Sequence, residues 1–294
     1  MKREILTLKN ILITGSSGFI GSALRRRLLT SDHRLFEFNI EDGNIADKNA
    51  LNRFHKDKID HVFHLAGRIF VPESWDDPHA FYSTNVIGTL NSLEFCKENQ
   101  CSITHISAYL YGIPKKLPID EDAEVVPNNP YAHSKLLSEQ LCQFYAQAHG
   151  LNITVFRPFN VYGIGQDKRF LIPSIIDQVL NNSEIKVQDT TPRRDYIYLE
   201  DLVDALVLSL ANSRNFSIYN VGSGKSLSVG EAIEKIQTVF LTDKNVISSN
   251  MPRKSEINDT QADIHKIKRE LGWEPRHTFM NGLEKIRQIL QSDH

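Results

Sequence analysis

A tyrosine stands four residues before a lysine in YAHSK, residues 131 to 135. Residues four apart share one face of an α-helix, so Tyr131 and Lys135 would be neighbours in a helix. A phenol has a pKa of about 10, and a nearby positive charge lowers that pKa. Such a pair could move a hydroxyl proton at neutral pH, although the spacing alone is too common to prove catalysis.

A glycine-rich turn follows the first apolar segment of the chain. Gly15, Gly18 and Gly21 lie in TGSSGFIGS, directly after the segment ILIT. Glycines between a strand and a helix let a pyrophosphate approach the backbone at the helix N-terminus. This pattern predicts a nucleotide-binding turn within a βαβ unit.

The residue that contacts the adenosine ribose is expected after the second strand, about 20 residues beyond the glycines. In RLFEFNIEDGN that position is Asn39, where an acid is usual. An amide can hydrogen-bond a ribose without repelling a 2′-phosphate, so NADP stays possible. Glu41 and Asp42 follow closely and would repel that phosphate, which favours NAD.

Short β-rich segments alternate with helical patterns and predict the elements that position these residues. The segments are ILIT (11–14), RLFEF (34–38), HVFHLA (61–66), ITHIS (103–107) and ITVFRP (153–158). Strands that alternate with helices predict βαβ units and a parallel sheet. The alternation weakens after about residue 163, and SIYNVG (217–222) can return to the first sheet as a further strand.

Two apolar stripes at helical spacing predict helices that pack on this sheet. The first stripe is Val86, Leu90, Leu93 and Cys96, and the second is Leu137, Leu141, Phe144 and Ala148. A final helix is predicted around HKIKREL, residues 265 to 271.

The composition favours a small-molecule partner. The 34 Lys and Arg against 36 Asp and Glu give a formal charge of −2, without a basic run for nucleic acid or a membrane surface. Cys96, Cys101 and Cys142 are an odd number without metal-like or redox-like spacing, which predicts a reducing compartment. With no signal-like apolar segment, we expect a cytoplasmic protein. The eleven histidines show no metal-ligand spacing, so no metal is expected.

An ordered series of motifs runs along nearly the whole chain. The motifs are TGSSGFIGS, HLAG, NVIGT, ISAYLYG, YAHSK, RPFNVYG, RRDYIYLED and YNVGSG. In this order the sequence resembles the extended short-chain dehydrogenase/reductase family, specifically its nucleotide-sugar epimerases, dehydratases and reductases. The resemblance implies a Rossmann-like, doubly wound parallel α/β sheet that binds NAD(P) over residues 1–163, rejoined by about 192–225. It also implies a smaller α/β C-terminal domain, mainly residues 164–294, that binds a nucleotide sugar.

The resemblance places Ser107, Tyr131 and Lys135 together as the catalytic group. Tyr131 would exchange the proton of a sugar hydroxyl, and Ser107 would hydrogen-bond the same oxygen. The ammonium of Lys135 and the oxidised nicotinamide would both lower the pKa of Tyr131 towards neutrality.

The resemblance also implies the remaining binding residues. Besides Tyr131 and Lys135, the cofactor would contact Gly15, Gly18, Phe19, Ile20, Gly21, Asn39, Asn44, Ile45, Leu65, Ala66, Gly67, Asn85 and Pro158. Besides Ser107, the substrate would contact Asn160, Arg194 and Arg253. Guanidinium groups suit this role because they bind phosphate oxygens bidentately. The stretch RKSEIND around Arg253 departs from the usual pattern of the family.

Three activities remain open at this point. A 4-epimerase would oxidise C4 of a nucleotide-linked hexose transiently, with no net use of NAD, and a 4-keto-sugar reductase would reduce an external ketone once. A non-catalytic dinucleotide sensor is the third possibility, but the chain retains Ser107, Tyr131 and Lys135. The family resemblance also implies a homodimer.

A 4,6-dehydratase is the activity that the sequence disfavours. The family's dehydratases carry an Asp-Glu pair directly after the catalytic Ser or Thr, whereas Ala108 and Tyr109 follow here. Neither residue can remove the C5 proton or protonate a leaving hydroxyl at neutral pH. The next acids, Asp120, Glu121 and Asp122, are expected to be solvated.

Overall fold

The structure is a computed structural model that describes residues 8–251 and 256–292. Its strands are β1 (Asn10–Thr14), β2 (Arg34–Phe38), β3 (His61–His64), β4 (Ser102–Ile106), β5 (Ile153–Pro158), β6 (Asn160–Tyr162), β7 (Glu184–Val187), β8 (Arg193–Tyr198), β9 (Phe216–Val221), β10 (Ser226–Ser228) and β11 (Asn245–Ser248). Its α-helices are α1 (Phe19–Leu28), α2 (Val71–Asp76), α3 (Pro78–Tyr82), α4 (Gly88–Asn99), α5 (Pro130–His149), α6 (Leu171–Asn181), α7 (Leu199–Leu208), α8 (Val229–Phe240), α9 (His265–Leu271) and α10 (Phe279–Ser292).

The main sheet is Rossmann-like and has the order β2-β1-β3-β4-β5-β9. Strands β1 to β5 pair in parallel, with Leu12 opposite both Phe36 and Val62 in the registers of β1. The predicted parallel α/β sheet is therefore confirmed. The segment SIYNVG lies in β9, which joins the sheet beside β5 as the sequence predicted.

Apolar strands are expected wherever both faces of a parallel sheet are covered. Ile11, Leu12 and Ile13 in β1 are fully buried, as are Val62 and Phe63 in β3. This burial explains why these strands read as continuous apolar runs rather than as an alternation.

Helix α5 buries a different face from the predicted apolar stripe. Phe144 is 57% exposed, whereas Lys135 and Glu139 are buried. Glu139 forms a bidentate ion pair with Arg157 of β5, with N–O distances of 2.9 and 2.6 Å. Partners distant in sequence thus satisfy these polar groups, and the helix can bury them.

The described chain divides into two compact units. The first comprises residues 8–110, 125–157 and 203–219, and the second comprises residues 111–124, 158–202 and the described part of 220–292. These boundaries differ from the predicted ones, because residues 111–124 group with the later part of the chain.

The second unit contains two small sheets. In one, β8 pairs antiparallel with β10 and parallel with β6; in the other, β7 and β11 pair in parallel. Helix α9 matches the predicted HKIKREL segment, but α10 follows it, so the prediction that α9 is the final helix was wrong. Leu283 and Ile286 of α10 are buried in the core of this unit, where Leu290 packs beside them.

One buried carboxylate organises the loops of the second unit. Asp195 Oδ1 accepts the N–H and hydroxyl of Ser223 at 2.6 and 2.7 Å. Its Oδ2 accepts the N–H groups of Gly224 and Ala262, both at 3.0 Å. The YNVGSG motif and the chain near residue 262 are therefore connected through β8.

Among the described residues, no helix is long and apolar enough to cross a membrane.

The glycine turn after β1 generates a stability prediction. A Cβ at residue 21 would lie 2.0 Å from the Gly15 carbonyl oxygen, whereas a Cβ at residue 18 would lie 3.3 Å from it. We expect Gly21→Ala to lower the free energy of unfolding by about 1–3 kcal/mol or more, because backbone must move. Gly18→Ala should cost clearly less. Urea denaturation of the cofactor-free variants measures both values, and equal losses would contradict this interpretation.

Candidate active site

The glycine turn lies between the ends of β2 and β3. Gly15 has φ +74°, and its N–H donates to the Phe38 carbonyl oxygen at 2.7 Å. A Cβ on Gly15 would lie 2.8 Å from the Ala66 nitrogen. Thr14, directly before the turn, contacts the same segment, because its carbonyl oxygen accepts the N–H of Leu65 at 3.1 Å. The predicted glycine turn and the HLAG segment are thus brought together, and only glycine fits at residue 15.

The N-terminus of α1 is suited to a pyrophosphate. Gly18 is the N-cap, and no side chain caps the helix. Phe19 and Ile20 begin the helix, and the first N–H groups of any α-helix lack intrahelical acceptors. Gly21 is buried against the backbone of Gly15, so the turn approaches the helix closely. The free helix end and the cradle that a Cβ would fill both fit a bound dinucleotide.

Asn39 lies directly beside this turn. Its Oδ1 accepts the Ser17 N–H at 2.9 Å, and its Nδ2 donates to Ser16 Oγ at 2.9 Å. Ser16 in turn donates to Glu37 at 2.6 Å. The predicted ribose-contacting residue therefore lies within the same hydrogen-bonded group as the glycine turn.

Asn44 and Ile45, two of the residues predicted to contact the cofactor, have different environments. Asn44 is exposed, and its Oδ1 accepts the Ala46 N–H at 3.0 Å, which closes a local turn. Ile45 is 4% exposed and belongs to the core. A Cβ on Gly88 would lie 2.8 Å from Ile45 Cγ2, so this isoleucine packs closely on the start of α4.

The predicted catalytic residues come together at the carboxyl end of β4. Ser107 directly follows the strand, and its N–H donates to the Phe156 carbonyl at 2.8 Å. Lys135 Nζ donates to the carbonyl of Ile106, the residue before Ser107, at 2.8 Å. Tyr131 lies in the first turn of α5, the helix that also carries Lys135. It packs against the cluster that contains Ala108.

The hydroxyl of Ser107 is buried and unpaired. Ser107 is 1% exposed, and Oγ has no hydrogen-bond partner within residues 8–251 and 256–292. A buried unpaired hydroxyl is costly, which favours a site where another molecule supplies the partner.

The electrostatics of the polypeptide differ from the sequence expectation. Burial raises the pKa of the Tyr131 phenol above its usual value. Burial also lowers the pKa of Lys135 to about 8, against opposing effects of Cys142 and Glu139. The Lys135 ammonium hydrogen-bonds the Ile106 carbonyl oxygen. The polypeptide alone therefore does not lower the pKa of the Tyr131 phenol.

Asn85 connects the cofactor region to the catalytic helix. It lies in a π-helical segment, Ser83–Ile87, a geometry that often marks functional sites. Asn85 Oδ1 accepts the Arg68 N–H at 2.8 Å, and Nδ2 donates to Ser134 Oγ at 2.9 Å. A Cβ on Gly67 would lie 3.1 Å from Asn85 Oδ1 and 3.4 Å from Lys135 Nζ. Ser134 was not among the predicted site residues, although it lies within YAHSK.

Two of the predicted substrate residues, Asn160 and Arg194, lie in the second unit, whereas Ser107 lies in the first. Asn160 opens β6, and its Nδ2 donates to the Asp195 carbonyl at 3.2 Å. Pro158, predicted to contact the cofactor, is buried at the end of β5. Arg194 forms an ion pair with Glu256, so its guanidinium already has an acidic partner. Arg253 lies outside the described residues.

One loop acid has a different environment from the predicted one. Glu121 was expected to be solvated, but its carboxylate accepts the Asn220 N–H at 2.8 Å. Burial raises the pKa of Glu121, partly opposed by hydrogen bonds. Spacing gave no signal for this contact, because its partner lies far along the chain.

Two curated relatives match the chain over most of its length. It is 31% identical to the UDP-glucose 4-epimerase of Lactobacillus helveticus, over 91% of this chain and 92% of that protein. It is 29% identical to the GDP-6-deoxy-D-mannose reductase of Pseudomonas aeruginosa, over 95% of this chain and 96% of that protein.

A solved structure and a family model agree with these relatives. RMD from Pseudomonas aeruginosa, complexed with NADPH, superposes with a TM-score of 0.88 at 28% identity, over 97% of this chain and 100% of that one. The model of the NAD dependent epimerase/dehydratase family matches residues 11–222. The chain therefore belongs to the NAD dependent epimerase/dehydratase family, as its ordered motifs predicted, and it is an NAD(P)-dependent enzyme.

Proposed function

We propose that this enzyme is a nucleotide-sugar 4-epimerase, with NAD as its cofactor. The observation that carries the proposal is the convergence of Ser107, Tyr131 and Lys135 at the carboxyl end of β4, where Lys135 bonds the Ile106 carbonyl at 2.8 Å. Open α/β sheets bind their ligands at these strand ends. The identity to a UDP-glucose 4-epimerase supports a nucleotide hexose as substrate.

In this mechanism the chain's own residues manage one proton. The phenolate of Tyr131 accepts the proton of the C4 hydroxyl and later returns it to the same oxygen. The unpaired Ser107 hydroxyl hydrogen-bonds that oxygen and fixes its distance from the phenol. Bound NAD supplies the hydride acceptor and donor. If the ketone turned over between the two transfers, return of the hydride to its other face would invert C4 without net oxidation.

The charge near Tyr131 decides whether this proton transfer works at neutral pH. Burial alone favours the protonated phenol. With a pKa of about 8, Lys135 is mainly cationic at pH 7. A second positive charge, on the oxidised nicotinamide, would add to that of Lys135 and stabilise the phenolate.

A 4-keto-sugar reductase is the alternative, favoured by the similarity to the reductase of Pseudomonas aeruginosa. The same tyrosine would then protonate the C4 oxygen after a single reduction. The two activities differ in cofactor use.

Incubation of the enzyme with UDP-glucose and NAD should yield the C4 epimer of the sugar, detected by NMR, without accumulation of NADH. Failure to epimerise any nucleotide hexose, with stoichiometric oxidation of NAD(P)H by a 4-keto sugar, would favour the reductase.

The substrate assignments in the second unit belong to the same proposal. We assign Asn160 and Arg194 to the nucleotide sugar, with Arg253 as a further candidate. Arg194 carries a guanidinium suited to a diphosphate, which would have to replace Glu256 as its partner.

We also propose a cytoplasmic location, because Cys96 and Cys101 are buried as free thiols.

We predict that Tyr131→Phe leaves NAD affinity nearly unchanged and lowers turnover at least about 10²-fold, because the variant loses its positioned acid and base. Calorimetry and steady-state kinetics measure the two effects separately. Tyr145→Phe is the matched control, since Tyr145 lies on the same helix and bonds Glu94. Near-wild-type turnover in Tyr131→Phe would remove this residue from the mechanism.

We predict that no nucleotide hexose is dehydrated. No acid directly follows Ser107, and Glu121 is engaged by the Asn220 N–H. Incubation with NAD and UDP-, GDP-, CDP- and dTDP-hexoses should therefore give no product lighter by one water in mass spectrometry. Appreciable formation of such a product would refute the restriction of chemistry to C4.

We predict a homodimer in which the outer face of α5 takes part. Phe144 is 57% exposed on that face, and the family resemblance implies a homodimer. Phe144→Glu should halve the mass measured by light scattering. Leu180→Glu, at a 51% exposed site on α6, is the control and should leave the mass unchanged. A monomeric wild-type protein would contradict the proposed dimer.

A further inference from the structure

A buried histidine that the proposed mechanism does not use lies at the end of β3. His64 is 1% exposed, and each of its ring nitrogens faces a threonine hydroxyl. Nδ1 lies 2.9 Å from Thr14 Oγ1, and Nε2 lies 3.1 Å from Thr89 Oγ1. The ring of His105 stacks on that of His64, but neither nitrogen of His105 has a hydrogen-bond partner within residues 8–251 and 256–292. In that part of the chain, only His64 of the two joins other elements through hydrogen bonds.

The ring of His64 offers one donor and one acceptor. Burial, followed by the charge of Lys135, lowers the pKa of His64 to about 3, so the ring is neutral at neutral pH. Thr89 donates its hydroxyl to the Asn85 carbonyl at 2.6 Å, so its Oγ1 accepts from Nε2 of the ring. Nδ1 is then the acceptor of the neutral imidazole.

The acceptor nitrogen connects the ring to the segment predicted to contact the cofactor. Thr14 Oγ1 accepts the Ala66 N–H at 3.3 Å, which leaves the hydroxyl proton of Thr14 for Nδ1. Ser92 Oγ also lies 3.1 Å from Nδ1, but it has a second acceptor in the Gly88 carbonyl at 2.9 Å. Thr14 can therefore donate to the ring while Ser92 is satisfied elsewhere.

On the donor side, the contacts continue from Asn85 into helix α5. Asn85 Nδ2 donates to Ser134 Oγ at 2.9 Å, and Ser134 donates to the Tyr131 carbonyl at 2.7 Å. Ser138 of the same helix donates to the Asn85 carbonyl at 2.8 Å. Residues linked by hydrogen bonds within the first unit thus run from the Ala66 N–H to the backbone of Tyr131.

We propose that His64 is a positioning residue for the proton transfer at Tyr131, because it joins the cofactor-binding segment to helix α5. A buried polar network specifies one geometry when all of its members are satisfied. Loss of one hydroxyl would let the start of α5 shift relative to the cofactor, and turnover is sensitive to small displacements of reacting groups. The inference rests on the proposed function, in which Tyr131 exchanges the proton of the sugar hydroxyl.

Thr89→Val is the test variant, because it nearly keeps the shape of the side chain and removes the hydroxyl. Thr89→Ser is its counterpart, because it keeps the hydroxyl and removes the methyl group. With UDP-glucose and saturating NAD, we expect Thr89→Val to lower kcat about tenfold, the equivalent of one hydrogen bond. Thr89→Ser should stay within about threefold of the wild-type kcat, and calorimetry should show NAD affinity changed less than about threefold in both.

Thr104→Val is the matched control on the other buried histidine of β3. Thr104 Oγ1 lies 3.0 Å from His61 Nε2, and both residues are buried. His61 and His64 are three residues apart in a strand, so their side chains lie on opposite faces of the sheet. Urea denaturation should show a loss of stability similar to that of Thr89→Val, whereas kcat should stay within about threefold of wild type.

Hydrogen–deuterium exchange of the cofactor-free protein tests the same contacts without a substrate. We expect the amides of residues 83–87 and 131–135 to exchange faster in Thr89→Val than in Thr89→Ser, because only the former loses the hydrogen bonds. His64→Asn combined with Thr89→Val should lower kcat no further than the more severe single variant, since both interrupt the same contact.

Equal losses of kcat in Thr89→Val and Thr89→Ser would assign the effect to packing and overturn the proposal. A like loss of kcat in Thr104→Val, or additive losses in the double variant, would overturn it as well. A wild-type protein that turns over no nucleotide sugar would contradict the proposed function. The exchange measurement would then decide the inference, and equal exchange in the two Thr89 variants would overturn it.

Discussion

The candidate active site depends on one buried cation, Lys135, and on the Ile106 carbonyl oxygen that accepts its hydrogen bond. An unpaired ammonium costs several kcal/mol to bury, so Lys135 constrains the backbone at Ile106 to stay where the charge is satisfied. That constraint joins α5 to the end of β4 and fixes the position of Ser107. Gly67 is constrained as well, because a Cβ there would lie only 3.1 Å from Asn85 Oδ1.

Helix α5 is therefore polar on the buried face where an ordinary packed helix is apolar. Ser134, Ser138 and Glu139 are buried along with Lys135, and each is hydrogen-bonded within the first unit. Such a network is costly to assemble but specifies one geometry once all of its members are satisfied. This network also fixes the position of Tyr131, which lies at the start of the helix. The opposite face of the helix leaves Phe144 exposed.

Sequence patterns predicted the local elements well and the long-range partners poorly. Strands β2 and β5 coincide with the predicted segments, because both are short β-rich runs; β5 is buried throughout, whereas β2 lies at the edge of the sheet and is only partly buried. The prediction of the buried face of α5 was wrong. Periodicity treats Glu139 as a solvent-facing residue, because the sequence near it gives no sign of its ion pair with Arg157. The pairing of Arg194 with Glu256 likewise joins residues that no local pattern connects. The assignment of Tyr131 and Lys135 to catalysis stays a prediction, which rests on their spacing of four residues and on the ordered series of motifs.

The position of β9 in the sheet has a consequence for biosynthesis. Strands β1 to β5 are complete at Pro158, but the strand that covers the outer edge of β5 begins only at Phe216. At roughly 10 residues per second, a nascent chain leaves that edge unpaired on the ribosome for several seconds. An uncovered edge is a template for pairing with another chain. A chaperone that binds extended apolar strands would therefore find its target on the incomplete chain, and translation products that stop before β9 should aggregate rather than accumulate as folded fragments.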